Sequence, residues 1–252
     1  MDLVRVLRDA LHAAGALRPG ERCLVALSGG RDSMVLLDLC AELQRTEGVF
    51  VAATVDHGLR PFQAEARIAA GACTLRGIPW RLAALEAGLR ERARAAGRSL
   101  EDQARRERYA MLEHLADGAG ATRILTAHTV EDQAETVLLR LLRGAGPGGL
   151  AGILPRRGPR ILRPLLAVGR DAVAAWAGDR KVPWIRDPGN VDEAIRRSRL
   201  REILPALEAA APGAAAVLAR NAAVAADHAE GLRAWVLEHF DLDAEACLPL
   251  EL

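Results

Sequence analysis

The sequence predicts a doubly wound α/β fold: a parallel five-stranded sheet with helices on both faces, followed by a small C-terminal helical segment. Three observations predict it. Short, wholly apolar runs of strand length recur along the chain, the first of them ending at a glycine pair, as buried parallel strands do. Stretches with the apolar period of an amphipathic helix separate these runs, which is the alternation of a parallel sheet with crossover helices. The chain has 252 residues, half of them apolar and 27% charged, enough for one domain with a sizeable core and an appendage.

In order, residues 2–15 read as an amphipathic helix that Arg18-Pro19-Gly20 stops. Residues 23–27 (CLVAL) form the first strand, and helical periodicity resumes over 34–43. The unit then repeats: strand 49–55, helix 63–75, strand 80–84, helix 100–116, strand 124–127, helix 130–142. In that last helix Ala134, Val137, Leu138, Leu141 and Leu142 make the buried stripe. Glycines and prolines crowd residues 144–163, which read as a mobile or substrate-facing loop. A helix over 170–180, a fifth strand over 182–185 and a helix near 193–204 complete a first domain, residues 1–205. Residues 206–252 are the appendage, alanine-rich and helical to about residue 240, broken at Pro212-Gly213.

Composition narrows the class. A net charge of +1 excludes a polybasic DNA-coating protein and an acidic disordered chain. The charge is uneven, however, with +9 over residues 140–201 and −7 over 202–252. Dense arginine suits phosphate binding, because each guanidinium grips a phosphate bidentately; it also suits an ordinary solvated face. Cys23, Cys40, Cys73 and Cys247 are widely spaced, which argues against a disulfide framework or zinc site and for buried apolar thiols. Arginine and aspartate interrupt the apolar pattern of the first residues, so neither a signal peptide nor a membrane span is expected, and the cytoplasm is.

In an open parallel sheet ligands bind at the carboxyl ends of the strands, and three of these ends are polar. The first is Ser28-Gly29-Gly30-Arg31-Asp32-Ser33, where glycines and a following helix N-terminus suit an anion; the alternative is a tight turn with Asp32 or Ser33 as a helix cap. The second is Asp56-His57-Gly58, which also reads as a plain loop with Asp56 accepting backbone N–H groups. The third runs from His128 through Thr129, Glu131 and Asp132 to Glu135. A capping box explains Thr129 with Asp132, whereas His128 and Glu135 suit magnesium coordination or deprotonation of an amine.

The loop at residues 28–33 resembles the SGGxDS pyrophosphate loop of the N-type ATP pyrophosphatases, a superfamily with a Rossmann-like fold. The rest resembles the tRNA(Ile)-lysidine synthetases: Asp56-His57-Gly58-Leu59-Arg60 is similar to VDHGLR, residues 99–109 to an SLE…AR…RY helix, and residues 128–150 to HHxDDQAETxLLRLLRG…GL. Arg163-Pro164-Leu165-Leu166, Asp187-Pro188 with Asn190, and Arg196 to Arg201 follow in family order, so the likeness covers about residues 20–205.

The resemblance implies ATP-dependent ligation of free L-lysine to the wobble cytidine of an isoleucine tRNA with a CAU anticodon, by adenylation of the base and then amine attack. It implies Ser28, Gly29, Gly30, Arg31, Asp32, Ser33, Asp56 and His57 at ATP, and Asp32 and Asp132 at Mg2+. Asp32, His128, Asp132 and Glu135 become the catalytic candidates, and Arg105, Arg140, Arg143, Arg196, Arg199 and Arg201 the tRNA contacts. A homodimer is left open. Departures from the family pattern are Thr129 for a second histidine, Glu131 for the first of paired acids, and Gly189, Ile195 and Ser198 in the late motif. The alternatives are another adenylating tRNA-modifying enzyme or amidating synthetase, and a non-catalytic nucleotide- or tRNA-binding protein. Clustered cysteines for thiolation are missing, and the chain has no room for a glutaminase domain.

Overall fold

The computed structural model describes residues 1–59, 62–185 and 194–239. The chain divides into two compact units, Met1–His128 with Arg156–Pro188, and Thr129–Pro155 with Gly189–Leu252. The sequence boundary at 205/206 falls inside a helix of the second unit.

The first unit is built on a sheet of β1 (Cys23–Leu27), β2 (Phe50–Asp56), β3 (Trp80–Ala84), β4 (Arg123–Leu125), β5 (Arg156–Arg157) and β6 (Ile161–Leu162), in the order β3-β2-β1-β4-β6-β5. β5 is antiparallel to β6, and the other pairings are parallel, Cys23 lying opposite Phe50 and Arg123. Because successive strand residues point to opposite faces, each apolar run feeds two cores. Cys23, Val25, Leu27, Phe50, Ala52, Leu125 and Leu162 pack with the helices α1 (Leu3–Ala13), α2 (Arg31–Gln44), α3 (Gln63–Leu75) and α8 (Arg170–Asp179). Leu24, Ala26, Val51, Ala53, Val55, Ile124 and Ile161 pack under Tyr109, Leu112 and Ala116 of α5 (Leu100–Gly118). The helix α4 (Leu89–Ala95) is tied to α5 by Arg92, which donates to both carboxylate oxygens of Glu107.

Buried polar groups pin the first core. Asp38 on α2 accepts hydrogen bonds from Arg76 Nε (2.8 Å), just after α3, and from Trp176 Nε1 (2.8 Å) on α8. One carboxylate thus ties three helices together, its charge paired with a side chain that is itself mostly buried.

The sheet departs from the expected five strands by having six, and the difference lies at one edge. β5 and β6 fall inside the stretch read as loop, since two-residue strands are too short to show a period of two and Arg156-Arg157 carries no apolar signal. The strand expected over 182–185 does not form. Pro183 has no N–H to give a ladder, Val182 closes the end of α8 through its N–H to Ala177 O (2.9 Å), and Lys181 turns the chain at φ 49°. The helix α2 begins at Arg31, three residues ahead of its apolar pattern, so Arg31, Asp32 and Ser33 form its first turn.

The second unit is helical, with α6 (Val130–Leu142), α7 (Pro147–Leu150), α9 (Ala194–Ala210) and α10 (Ala214–His239). Ala134, Leu204 and Ala215 form its core with Val130, Leu138, Leu207 and Leu218 around them. Glu208 accepts from Gly213 N (2.8 Å) and Ala215 N (2.7 Å), so a carboxylate of α9 caps the start of α10 across the expected Pro212-Gly213 break. Among the described residues no single helix is long and apolar enough to cross a membrane.

Asp38→Ala should lower the unfolding free energy in urea by about 3 kcal/mol, because it strands the Arg76 charge beside a buried core. Arg180→Ala, removing a partner of Asp38 that is 42% exposed, should change it by less than about 1 kcal/mol. Burial pushes the thiols of Cys23 and Cys73 up from 9.0 to about 12 and raises Cys40 as well. Unfolded thiols therefore ionise above pH 9 while the folded ones stay protonated, so stability is fully present below pH 9 and falls towards pH 12. Urea midpoints measured from pH 8 upward should show this fall, reduced in Cys73→Ala.

Candidate functional site

Strand β1 is the point where the sheet changes direction: the chain goes from β1 to β2 and β3 on one side, then crosses back to β4 on the other. Such a switch opens a crevice at the carboxyl end of the first strand. Residues 28–33 occupy that end, between β1 and α2.

Two constraints make Gly29 a glycine. Its φ is +79°, and a Cβ there would stand 3.0 Å from Glu65 Cβ and 3.4 Å from Glu65 Cα on α3. Ser33 Oγ donates to Gly30 O (2.9 Å) and accepts from Ser28 N (3.2 Å), while the two serine hydroxyls lie 3.1 Å apart. The N-cap of α2 is Gly30, with no side-chain cap, so neither Asp32 nor Ser33 plays the capping part that the turn reading gave them. A helix start with a glycine N-cap and no side-chain cap is the kind of terminus whose dipole suits an anion.

Arg31 Nε lies 3.2 Å from Asp32 Oδ1, and the same guanidinium sits 6.0 Å over the ring of Trp184. Ile185 N donates to Gly29 O (2.9 Å), fastening the segment after α8 to the loop. Trp184 and Ile185 were not singled out in the sequence, where they read as a strand.

The other two predicted strand ends in this unit meet the same sheet edge. Asp56 ends β2, and its Oδ1 accepts from Gly58 N (2.8 Å) in a tight turn. His57 lines a cavity of about 300 Å3 together with Leu85 and Leu89. His128 follows β4, and its Nδ1 shares a hydrogen bond with the buried Thr126 Oγ1 (3.0 Å). Residues 28–33, Asp56, His57 and His128 thus come together at the carboxyl ends of three adjacent strands. Arg105 is on α5, 5.3 Å over the Tyr109 ring.

In the second unit, Thr129 caps α6 and donates to Asp132 Oδ2 from both N (2.8 Å) and Oγ1 (3.2 Å), completing the capping box. Glu135, one turn on, is buried at 4% exposure. Gln133, unassigned in the sequence, holds the glycine-rich stretch: its amide donates to Ile153 O (3.1 Å) and accepts from Ile153 N (2.6 Å). Arg140 Nη1 donates to Gly149 O (2.7 Å), so the stretch expected to be mobile or substrate-facing is held by Gln133 and by Arg140. Arg143 ends this helix at the surface. Arg196, Arg199 and Arg201 belong to α9, their side chains outside the described residues, as are Asp187, Pro188 and Asn190 of the late motif.

Among the described residues no three His, Cys, Asp or Glu side chains gather as a metal cluster. Magnesium carried on phosphate oxygens would need only one or two protein carboxylates. Asp32 lies in the first turn after the glycine pair, and Asp132 already commits one oxygen to its cap.

Over residues 4–207 the chain matches the family model of the PP-loop domain. It is 38% identical over 235 residues to a tRNA(Ile)-lysidine synthase of Novosphingobium aromaticivorans, a match spanning 90% of this chain and 68% of that one. A tRNA(Ile)-lysidine synthase of Methylobacterium nodulans is 43% identical over 190 residues, spanning 74% and 54% of the two chains. The U34-tRNA thiolase NcsA of Methanococcus maripaludis, solved with its 4Fe–4S cluster, has the same fold, with a TM-score of 0.75 at 21% identity over 99% of this chain and 83% of that one. The glycine-bounded loop at the switch strand, the family model and the long matches agree: the chain belongs to the PP-loop family and, within it, to the tRNA(Ile)-lysidine synthase family.

Proposed function

We propose that this chain ligates lysine to the wobble cytidine of an isoleucine tRNA bearing a CAU anticodon. The cytosine carbonyl oxygen attacks the α-phosphorus of ATP, and pyrophosphate departs. The lysine ε-amine then attacks the same ring carbon and gives up a proton, and the C–O bond breaks to release AMP with the former carbonyl oxygen. The observation that carries the reading is the uncapped start of α2 behind Gly29 and Gly30, an anion seat built of N–H groups at the switch strand. The substrate class follows from the relatives, which are tRNA(Ile)-lysidine synthases.

Each group has a task in that sequence. Ser28, Gly29, Gly30, Arg31 and Ser33 hold the ATP phosphates, where fixed donors stabilise charge as it moves onto pyrophosphate. Asp32 in the first unit and Asp132 in the second are each candidate carboxylates for magnesium, which would neutralise phosphate charge when bound. Asp56 and His57 serve the nucleoside side of ATP, and His128, held by Thr126, positions the activated base. Because Asp132 Oδ2 serves the capping box, Glu135 is the carboxylate assigned to the lysine amine and its proton. Arg105, Arg140, Arg143, Arg196, Arg199 and Arg201 take RNA phosphates, Arg140 while also holding Gly149. Against a thiolase-like reading, the cysteines among the described residues, Cys23, Cys40 and Cys73, are buried in one apolar core with their thiols held protonated; Cys247 lies outside the described residues.

Pyrophosphate release from ATP should depend on RNA with a CAU anticodon, and labelled lysine should enter that RNA. Release without lysine entry would overturn the ligase reading in favour of another adenylating enzyme. RNA binding with neither event would favour a non-catalytic binder. Asp32→Ala should reduce both steps by about 10²–10³-fold with an unchanged circular dichroism spectrum. Glu135→Gln should keep pyrophosphate release and lose lysine incorporation.

A further inference from the structure

A second cationic site lies on the α5 face of the sheet, centred on Tyr109. The strand alternation that sends Ile161 to the α5 core and Leu162 to the opposite one sends Arg163 back towards α5. Arg157 pairs with Ile161 across the β5–β6 hairpin and so shares its face. On α5, Arg105 and Tyr109 are four apart and stack on one stripe. The result is convergence on a single phenol. Arg105 Cζ stands 5.3 Å and Arg157 Cζ 4.7 Å from the Tyr109 ring centroid, and Arg163 hydrogen-bonds the Tyr109 side chain. Tyr109 and Arg163 are each 6% exposed, whereas Arg105 and Arg157 are half-buried. Arg163 directly follows β6, so the group belongs to the carboxyl edge of the sheet.

Gathering guanidinium groups is unfavourable in itself. Burial pushes Arg163 and Arg108 below the usual arginine range, with repulsion from Arg105 adding to both. For Tyr109 burial alone would raise the phenol, yet Arg105, Arg163 and Arg108 outweigh it and hold the phenol below its ordinary value. A ring face and one phenol oxygen orient these cations, and guanidinium groups held in this way suit a phosphate, which each can grip bidentately.

We propose that Arg105 and Arg157 form a phosphate-binding pair set by Tyr109 and Arg163, and that the phosphate it takes is one of the RNA strand. Arg157 and Arg163 are additional to the arginines already assigned, and Tyr109 and Arg163 act as positioning residues. The source of the phosphate rests on the RNA-substrate reading above; the anion site does not.

The test is binding of a labelled anticodon stem-loop RNA with a CAU anticodon across a salt series, with inorganic pyrophosphate titrated in parallel. Arg157→Ala should weaken RNA binding about tenfold and lower the slope of log affinity against log salt by about one, as loss of a single phosphate contact does. Tyr109→Phe, which keeps the ring under both guanidinium groups, should retain most of the affinity and the full salt slope. Tyr109→Leu should show the same tenfold weakening and lowered slope as Arg157→Ala. If pyrophosphate binding falls and RNA binding does not, the RNA assignment is overturned and the pair belongs to the leaving group. If Arg157→Ala leaves both ligands and the salt slope unchanged, the site itself is overturned. Wild-type protein that binds no RNA would instead refute the substrate reading, and the pyrophosphate arm would still decide the anion site.

Discussion

Everything at the candidate site depends on β1 being paired on both sides. With β2 on one flank and β4 on the other, the strand is fixed at both edges and buried on both faces, so its carboxyl end cannot shift without breaking two ladders. The crossover that leaves it must turn at once into α2. Gly29 makes the turn at φ +79°, in contact with Glu65. A rigid strand, a two-glycine turn and an uncapped helix N-terminus together present backbone N–H groups with little freedom left to lose on binding, which is what pre-organisation for a multiply charged leaving group requires.

The rest of the first unit supports that point from behind. Asp38, one face of α2 away from the loop, holds Arg76 and Trp176 and so keeps α2 seated between its neighbours. Ile185 reaches forward to the Gly29 carbonyl, and Trp184 lies beside Arg31. A loop of six residues is thus constrained by the strand before it, the helix after it, the α3 residue beneath it and a segment more than 150 residues later in the chain. The second unit repeats the device at smaller scale, with Thr129 and Asp132 closing the start of α6 and Gln133 pinning the glycine-rich stretch that follows.

Much of this was legible in the residues. The boundaries of β1, α3, β3 and α6 coincide with those read from apolar runs and helical period, although β3 is largely exposed and Leu141 and Leu142, read into the buried stripe of α6, lie at the surface. Residues 28–33, Asp56, His57 and His128 could be singled out because they follow apolar runs of strand length, and ligands of an open parallel sheet bind at the carboxyl ends of its strands. What failed was short or carried by single contacts. β5 and β6 are two residues each, and their arginines look like loop. Residues 182–185 look like strand by composition, and Pro183 alone argues otherwise. Gln133 and Trp184 had no visible partner until Ile153 and Arg31 were brought beside them.

The sequence by itself determined the alternating α/β class, the order of the elements, the family and the residue types at each strand end, because periodicity and local turn chemistry are properties of neighbouring residues. The tertiary structure decided which strand lies at the switch, that α2 starts uncapped at Arg31, and that Arg157 and Arg163 meet Arg105 on Tyr109. Those facts depend on strand order and on which face each side chain takes, and these are settled only when residues far apart in the chain share one core.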